Sequence, residues 1–253
     1  MEKIEEGISE QGILLVKYIS QSGFLSRRKS EEAIKTGHAM VNGSIMVNPG
    51  YVVKPTDKVY VDGTEIVVQK KIYIVLNKPV AHITSKDDPE GRKTVFDLFP
   101  TRMARELDPV GRLDYNTSGV LLLSNDGSFI NMLSHPRYKV PKIYSIYTSR
   151  PLTDDVIAQL KKGGKLDDGM VRPDLVEWNP DYPSRLTLHL HSGKYRVIRR
   201  LLELFGIFVD QLHRVSFAGV TIKGIPVGAW RSLSGKEYND ICKLAEKKSR
   251  KKD

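Results

Sequence analysis

The stretch that orients the whole chain is Gly111-Arg112-Leu113-Asp114-Tyr115-Asn116-Thr117-Ser118-Gly119, which runs directly into Val120-Leu121-Leu122-Leu123. A glycine-bounded polar loop that empties into an apolar run reads as a loop entering a buried strand. It places one carboxylate, Asp114, at the strand's mouth, with Arg112 two residues before it. Elsewhere the chain has no phosphate-cradling glycine loop, thiol site or metal-ligand cluster to compete for chemistry. Taken alone, Asp114 also fits a turn former or a helix cap. On a basic protein, a solitary aspartate beside a base-sized pocket points to a carboxylate acting on a nucleic acid without a cofactor.

Outward from this loop the chain alternates strands and helices. Ile72-Tyr73-Ile74-Val75-Leu76 reads as a buried strand closed by Asn77-Lys78-Pro79. Strands are expected over 120–124, 142–148, 185–191 and 219–222, and helices over 129–133, 153–162 and 197–205. This order predicts an α+β domain with a mixed sheet. Towards the N-terminus, Leu14, Leu15, Tyr18 and Ile19 recur at helical spacing and stop at Ser22-Gly23. Ser26 caps a second helix over 27–36, with Gly37 after it. Asn42-Gly43 between apolar runs is a hairpin signal. Two further short strands, 58–61 and 66–68, flank Asp62-Gly63. Two helices and a small sheet make a compact module over 12–68, with Gln69-Lys70-Lys71 as linker and a larger domain over 72–240. Residues 1–11 and 243–253 read as disordered tails, the latter a basic end that frays in solvent or touches RNA.

The 253 residues carry 40 Lys and Arg against 30 Asp and Glu, a formal net charge of +10 that favours a polyanionic partner. Within the first seventy residues the charges balance, so the small module's signal is local. Arg27, Arg28 and Lys29 open its second helix and Lys35 follows two turns on from Arg28. A helix N-terminus with arginines suits phosphate; a solvated helix face is the plainer alternative. The single cysteine, Cys242, lies in an expected C-terminal helix and excludes an internal disulfide. His189 and His191 share a strand face, but two ligands do not close a metal site, so no metal is expected. With no apolar run of membrane-spanning length and an acidic N-terminus, a soluble, cytoplasmic protein is expected, with nothing to suggest more than a monomer.

Residues 15–37 with Val41-Asn42-Gly43 resemble an S4 RNA-binding domain over about residues 12–60. Five later segments resemble the rRNA pseudouridine synthases of the small-subunit-A and large-subunit-B/E/F type. They are Lys78-Pro79, the segment 88–95, the Asp114 loop with 124–127, Lys142-Ile143-Tyr144, and Gly193-Lys194-Tyr195-Arg196-Val197-Ile198-Arg199-Arg200. The resemblance implies a catalytic Asp114, attacking sugar or base or removing a sugar proton. It implies Tyr144 stacked on a flipped-out uridine, and Arg199 as the guanidinium partner of Asp114. Arg112 then either displaces the target nucleotide or holds the loop. Lys78 and Ile198 stand at the substrate, Lys78-Pro79 also shaping the floor beneath the tyrosine, and Arg196 and Arg200 bind RNA. Read from the residues alone, Tyr144 fits a half-buried strand aromatic facing away from Tyr147, and Arg199 a surface or phosphate-contacting arginine.

The late motif departs from the family pattern. Ser192 replaces an acid, Lys194 an arginine, Val197 a glutamine and Leu201 a methionine, and Pro141 stands where an acid precedes Lys142. The implied fold is a small S4 domain plus a synthase domain with a mixed, largely antiparallel sheet flanked by helices. The implied activity is isomerisation of a uridine, in 23S rRNA by closeness of motifs. A 16S rRNA enzyme and a non-catalytic S4-type assembly protein are the alternatives, and ribosomal RNA or pre-ribosomal particles the partners. No cofactor is implied.

Overall fold

The computed structural model describes residues 12–68 and 70–249, and these divide into two compact units. The first holds the described residues up to Ile72 together with Asn125–Gly127; the second holds Tyr73–Ser124 and the described residues from Ser128. Of the two expected tails, 1–11 and 250–253 lie outside the described residues.

In the first unit β1 (Ile13–Leu14) leads into α1 (Leu15–Gln21) and α2 (Arg27–Lys35). Ser26 caps α2 by accepting from the Lys29 N–H at 3.4 Å. Two hairpins follow: β2 (Ala39–Val41) with β3 (Ser44–Ile45), and, after β4 (Val52–Val53), β5 (Val59–Val61) with β6 (Thr64–Ile66). Both turn on two residues in the left-handed region, Asn42-Gly43 and Asp62-Gly63, the twist that two-residue hairpins require. The sheet runs β3-β2-β5-β6, and Leu15, Ile19, Ile34, Val41, Val59 and Val61 form its core. Leu14 joins no helix: it pairs with Val52 across β1 and β4, two strands too short to show a period. The second and fourth expected strands, 45–47 and 66–68, end earlier than read, at Ile45 and Ile66.

The second unit contains β7 (Tyr73–Lys78), α3 (Thr101–Glu106), β8 (Asp108–Pro109), β9 (Thr117–Ser124), α4 (Gly127–Ser134), β10 (Lys142–Thr148) and α5 (Asp154–Lys162). There follow β11 (Gly164–Leu166), β12 (Gly169–Val171), β13 (Leu175–Trp178), β14 (Arg185–Leu190), α6 (Val197–Glu203), β15 (Val209–Phe217), β16 (Val220–Thr221), β17 (Trp230–Ser232) and α7 (Gly235–Ser249). The main sheet is ordered β13-β14-β10-β15-β9-β7-β17, with β16 on β15 and β8 on β9. Among the described strands of this sheet only β15 and β9 pair in parallel, so the sheet is mixed and largely antiparallel, as expected of an α+β protein. Phe129 and Leu133 of α4 and Ile241 of α7 pack with Val75, Val120 and Leu122 of the sheet. Leu121 and Leu123, pointing the other way, are equally buried, which is why this strand reads as a continuous apolar run.

Two local expectations need correction. The central strand β15 escapes a sequence reading because Asp210, Gln211, His213 and Arg214 interrupt its apolar pattern. And residues 243–249, read as a fraying tail, continue α7, because Leu244 and Ala245 extend its apolar face onto the core. Among the described residues no helix is long and apolar enough to cross a membrane.

Candidate active site

The Asp114 loop is fastened by its backbone. The buried Thr84 hydroxyl donates to the Leu113 carbonyl at 2.8 Å and accepts from the Leu113 N–H at 3.3 Å. Lys78, at the end of β7, is fully buried and spends all three ammonium protons on carbonyls: Pro79 at 3.0 Å, Asp114 at 3.1 Å and Thr117 at 2.8 Å. Thr117 in turn donates its N–H to the Asp114 carbonyl at 3.0 Å. With its main chain held twice over, Asp114 keeps its half-buried carboxylate free of any hydrogen bond or ion pair among the described residues. It faces a cavity of about 250 Å³.

Three strands meet at the level of that cavity. Tyr144 on β10 lies opposite Arg214 on β15, and Arg214 lies opposite Gly119 on β9. Tyr144 is buried and lines the cavity, while Tyr147 faces away and is exposed, as alternation along a strand requires. Ile198 and Val197, at the start of α6, supply an apolar wall. Arg112, Lys142, Lys194, Arg196 and Arg214 line the same space against the one acid Asp114, an excess of positive charge that suits an anionic ligand. Among the described residues no group of three metal-ligating side chains occurs.

Arg214 carries no signal in a linear reading and is a principal find of the structure. It is only 2% exposed. Its Nε donates to the Val120 carbonyl at 2.7 Å, its guanidinium lies 4.7 Å from the Phe217 ring centre, and Nη2 is buried with no partner. Arg199 is not the direct partner of Asp114. It donates to the carbonyls of Val209 at 2.7 Å and Asn116 at 3.1 Å, tying α6 to β15 and to the Asp114 loop. Burial, then Arg196, push its pKa down, and the Asp114 charge opposes them; the two groups feel each other through space.

The sequence pattern of RNA pseudouridylate synthases matches residues 72–204, and that of S4 domains matches residues 14–64. The chain belongs to the RNA pseudouridylate synthase family. It is 37% identical over 90% of its length to an uncharacterized RNA pseudouridine synthase of Aquifex aeolicus, covering 92% of that protein. It is 34% identical over 92% of its length to the ribosomal large subunit pseudouridine synthase B of Bacillus subtilis, covering 96% of it. A crystal structure of a pseudouridylate synthase superimposes with a TM-score of 0.65 at 25% identity, spanning 91% of this chain and 100% of that one.

In this synthase two residues expected at the RNA are engaged elsewhere. Lys78 has no exposed surface to offer a substrate, because the loop carbonyls take its three protons. Arg200 forms a bidentate pair with Asp168, at 3.1 and 3.0 Å; the carboxylate in the β11–β12 turn matches its fork and takes the place of a phosphate. Arg112 and Arg196 are exposed and line the cavity. In the S4 unit of the synthase Arg27, Arg28 and Lys29 are exposed, whereas Lys35 pairs with Glu31 at 2.6 Å, a surface pair weak enough for a phosphate to displace.

Burial, opposed by the Asp114 charge and aided by Arg214, lowers the Lys78 pKa from 10.5 to about 8. A lysine whose folded pKa lies below its unfolded value binds fewer protons when folded, so its contribution to stability rises with pH between about 8 and 10.5. Lys78→Met should therefore do two things. It should destabilise the fold at pH 7 by about 2–4 kcal/mol, since buried carbonyls lose their donor. It should also flatten the rise in stability from pH 8 to pH 10. Urea unfolding of both proteins at the two pH values measures this; parallel pH profiles would refute it.

Proposed function

We propose that this chain isomerises a uridine of large-subunit 23S rRNA, with Asp114 as the catalytic carboxylate. The observation that carries the reading is the unpaired Asp114 carboxylate, presented with Tyr144 to one cavity of about 250 Å³. The relative from Bacillus subtilis, named for the large ribosomal subunit, supports the choice of RNA. The reaction breaks the N1–C1′ bond, rotates the base, forms C5–C1′, releases the C5 proton and returns one to N1. Atoms balance within the nucleotide, so no redox partner or group carrier is required.

The target base has to leave its stack to reach Asp114. Tyr144 offers the flipped ring a flat face, and Ile198 closes the apolar side. Arg112 and Arg196 stand where the strand's phosphates would pass. Arg199 acts on Asp114 across space and through the loop, by holding the Asn116 carbonyl. The S4 unit anchors structured RNA through Arg27, Arg28 and Lys29. The test is tritium release from 23S rRNA carrying [5-³H]uridine, since joining C5 to the sugar expels that tritium. Release by the wild type, absent with Asp114→Asn, supports the reading. No release from 23S or 16S transcripts, naked or in pre-ribosomal particles, favours an RNA-binding protein without catalysis.

Replacing Arg27 and Arg28 together by alanine should weaken rRNA binding and reduce the slope of log K against log salt by about 1–2, the loss of one or two phosphate contacts. Filter binding across a salt series measures the slope. An unchanged slope would place the RNA anchor elsewhere.

A further inference from the structure

Tyr195 is the one aromatic ring of the late motif and is 68% exposed, and it lines the mouth of the same cavity that buries Tyr144. Its backbone is nevertheless tied to α6. The Tyr195 carbonyl accepts from Arg200 Nη1 at 3.0 Å, and Arg200 is itself locked by both oxygens of Asp168. On the preceding residue, Lys194 Nζ donates to the Asp168 carbonyl and pairs with its carboxylate at 3.7 Å. On the following one, Arg196 is held in the left-handed region at φ +43°, a conformation a non-glycine residue keeps only where its surroundings impose it. Asp168 is thus the hub of a buttress whose product is a fixed loop with a free aromatic ring at its tip.

A rigid backbone displaying a solvated ring contributes nothing to the core, and it lowers the entropy lost when a flat partner stacks on that ring. The Arg196 guanidinium beside it makes no hydrogen bond or ion pair among the described residues, so a cation is available for the adjoining phosphate. Tyr144 is too deep to meet anything but the base that enters the cavity.

We propose that Tyr195 is a stacking platform for the nucleobase adjacent to the flipped uridine, set in place by Asp168 through Arg200 and Lys194. The proposal rests on the uridine-flipping reading above. It gives the Lys194 substitution a role as well: lysine reaches Asp168 as a point charge and leaves the fork geometry of that carboxylate to Arg200.

The experiment follows tritium release from the [5-³H]uridine 23S transcript, reading KM and kcat separately, after the wild type has been used to map its uridine. Base–aromatic stacking of the usual strength predicts that Tyr195→Ala and Tyr195→Leu each raise KM about tenfold, with the loss carried by KM rather than kcat. Tyr195→Phe recovers most of that loss. Asp168→Ala raises KM in the same direction with the ring intact. On transcripts made abasic at the nucleotide on one or other side of the mapped uridine, wild type and Tyr195→Ala converge for one of the two. Leucine serving as well as phenylalanine, or a deficit that survives both abasic transcripts, overturns the proposal. Should the wild type release no tritium, the isomerase reading fails by itself; filter-binding Kd values of the same variants on the same transcript then decide the stacking platform, with the same order expected.

Discussion

Asp114→Asn should lower the rate of uridine isomerisation by roughly 10³-fold or more, the scale expected for loss of the proposed catalytic carboxylate. RNA affinity should stay within a few-fold. The asymmetry follows from how the residue is held. Its backbone is fixed by Lys78 and by Thr117, and Thr84 fixes Leu113 beside it, whereas its carboxylate holds nothing in place. An amide of the same shape therefore leaves the loop intact and removes only the charge. That charge also raises the Lys78 pKa against burial, so its loss should bring Lys78 closer to neutrality near pH 8. Single-turnover tritium release and filter binding on one transcript check the prediction. A variant that loses affinity in proportion to rate would make Asp114 a structural residue.

Gly119→Ala should be among the most damaging small substitutions in the second unit. Gly119 sits at φ +108°, and a Cβ there would lie 2.2 Å from the Arg214 carbonyl oxygen and 2.7 Å from its nitrogen. Those are backbone atoms of β15, which is bonded to β10 on one side and β9 on the other and has no room to retreat. Backbone strain and overpacking together imply about 3–5 kcal/mol, or roughly 10 °C in Tm for a unit of this size. Gly111→Ala is the control. It lies at φ +70° but meets nothing within 4 Å, so it bears the conformational cost alone, about 1 kcal/mol. Thermal melts of the two variants side by side settle the matter. Equal melting points would mean that β9 and β15 are not held at this separation. The functional side of the result is that the absent side chain at Gly119 lets β9, which the Asp114 loop enters, approach the strand that carries Arg214 and faces Tyr144.

Much of the site is legible in the sequence because its signals are local. The Asn42-Gly43 and Asp62-Gly63 turns, the Ser26 cap and the strand over Lys142–Thr148 each announce themselves within a few residues. The order of motifs located Asp114, Tyr144 and Ile198, which do share one cavity. Arg214 is different. A linear reading places arginine at the surface, and nothing in Gln211-Leu212-His213-Arg214 says that its strand lies in the middle of the sheet.

Lys78 and Arg200 mark the same boundary from the other side. Both stand in recognisable motifs, and both invite a reading as RNA contacts because free lysine and arginine attract phosphate. Yet Lys78 meets carbonyls 36 and 39 residues away, and Arg200 meets Asp168 32 residues away. By itself, then, the sequence determined the local turns, caps and strand alternation and the family, and it singled out Asp114 and Tyr144, which line one cavity. Only the tertiary structure decided which cations stay exposed and which are consumed inside the protein. The reason is physical: propensity and alternation act over a few residues, whereas the partner and burial of a charged side chain depend on chain segments brought together by the whole fold.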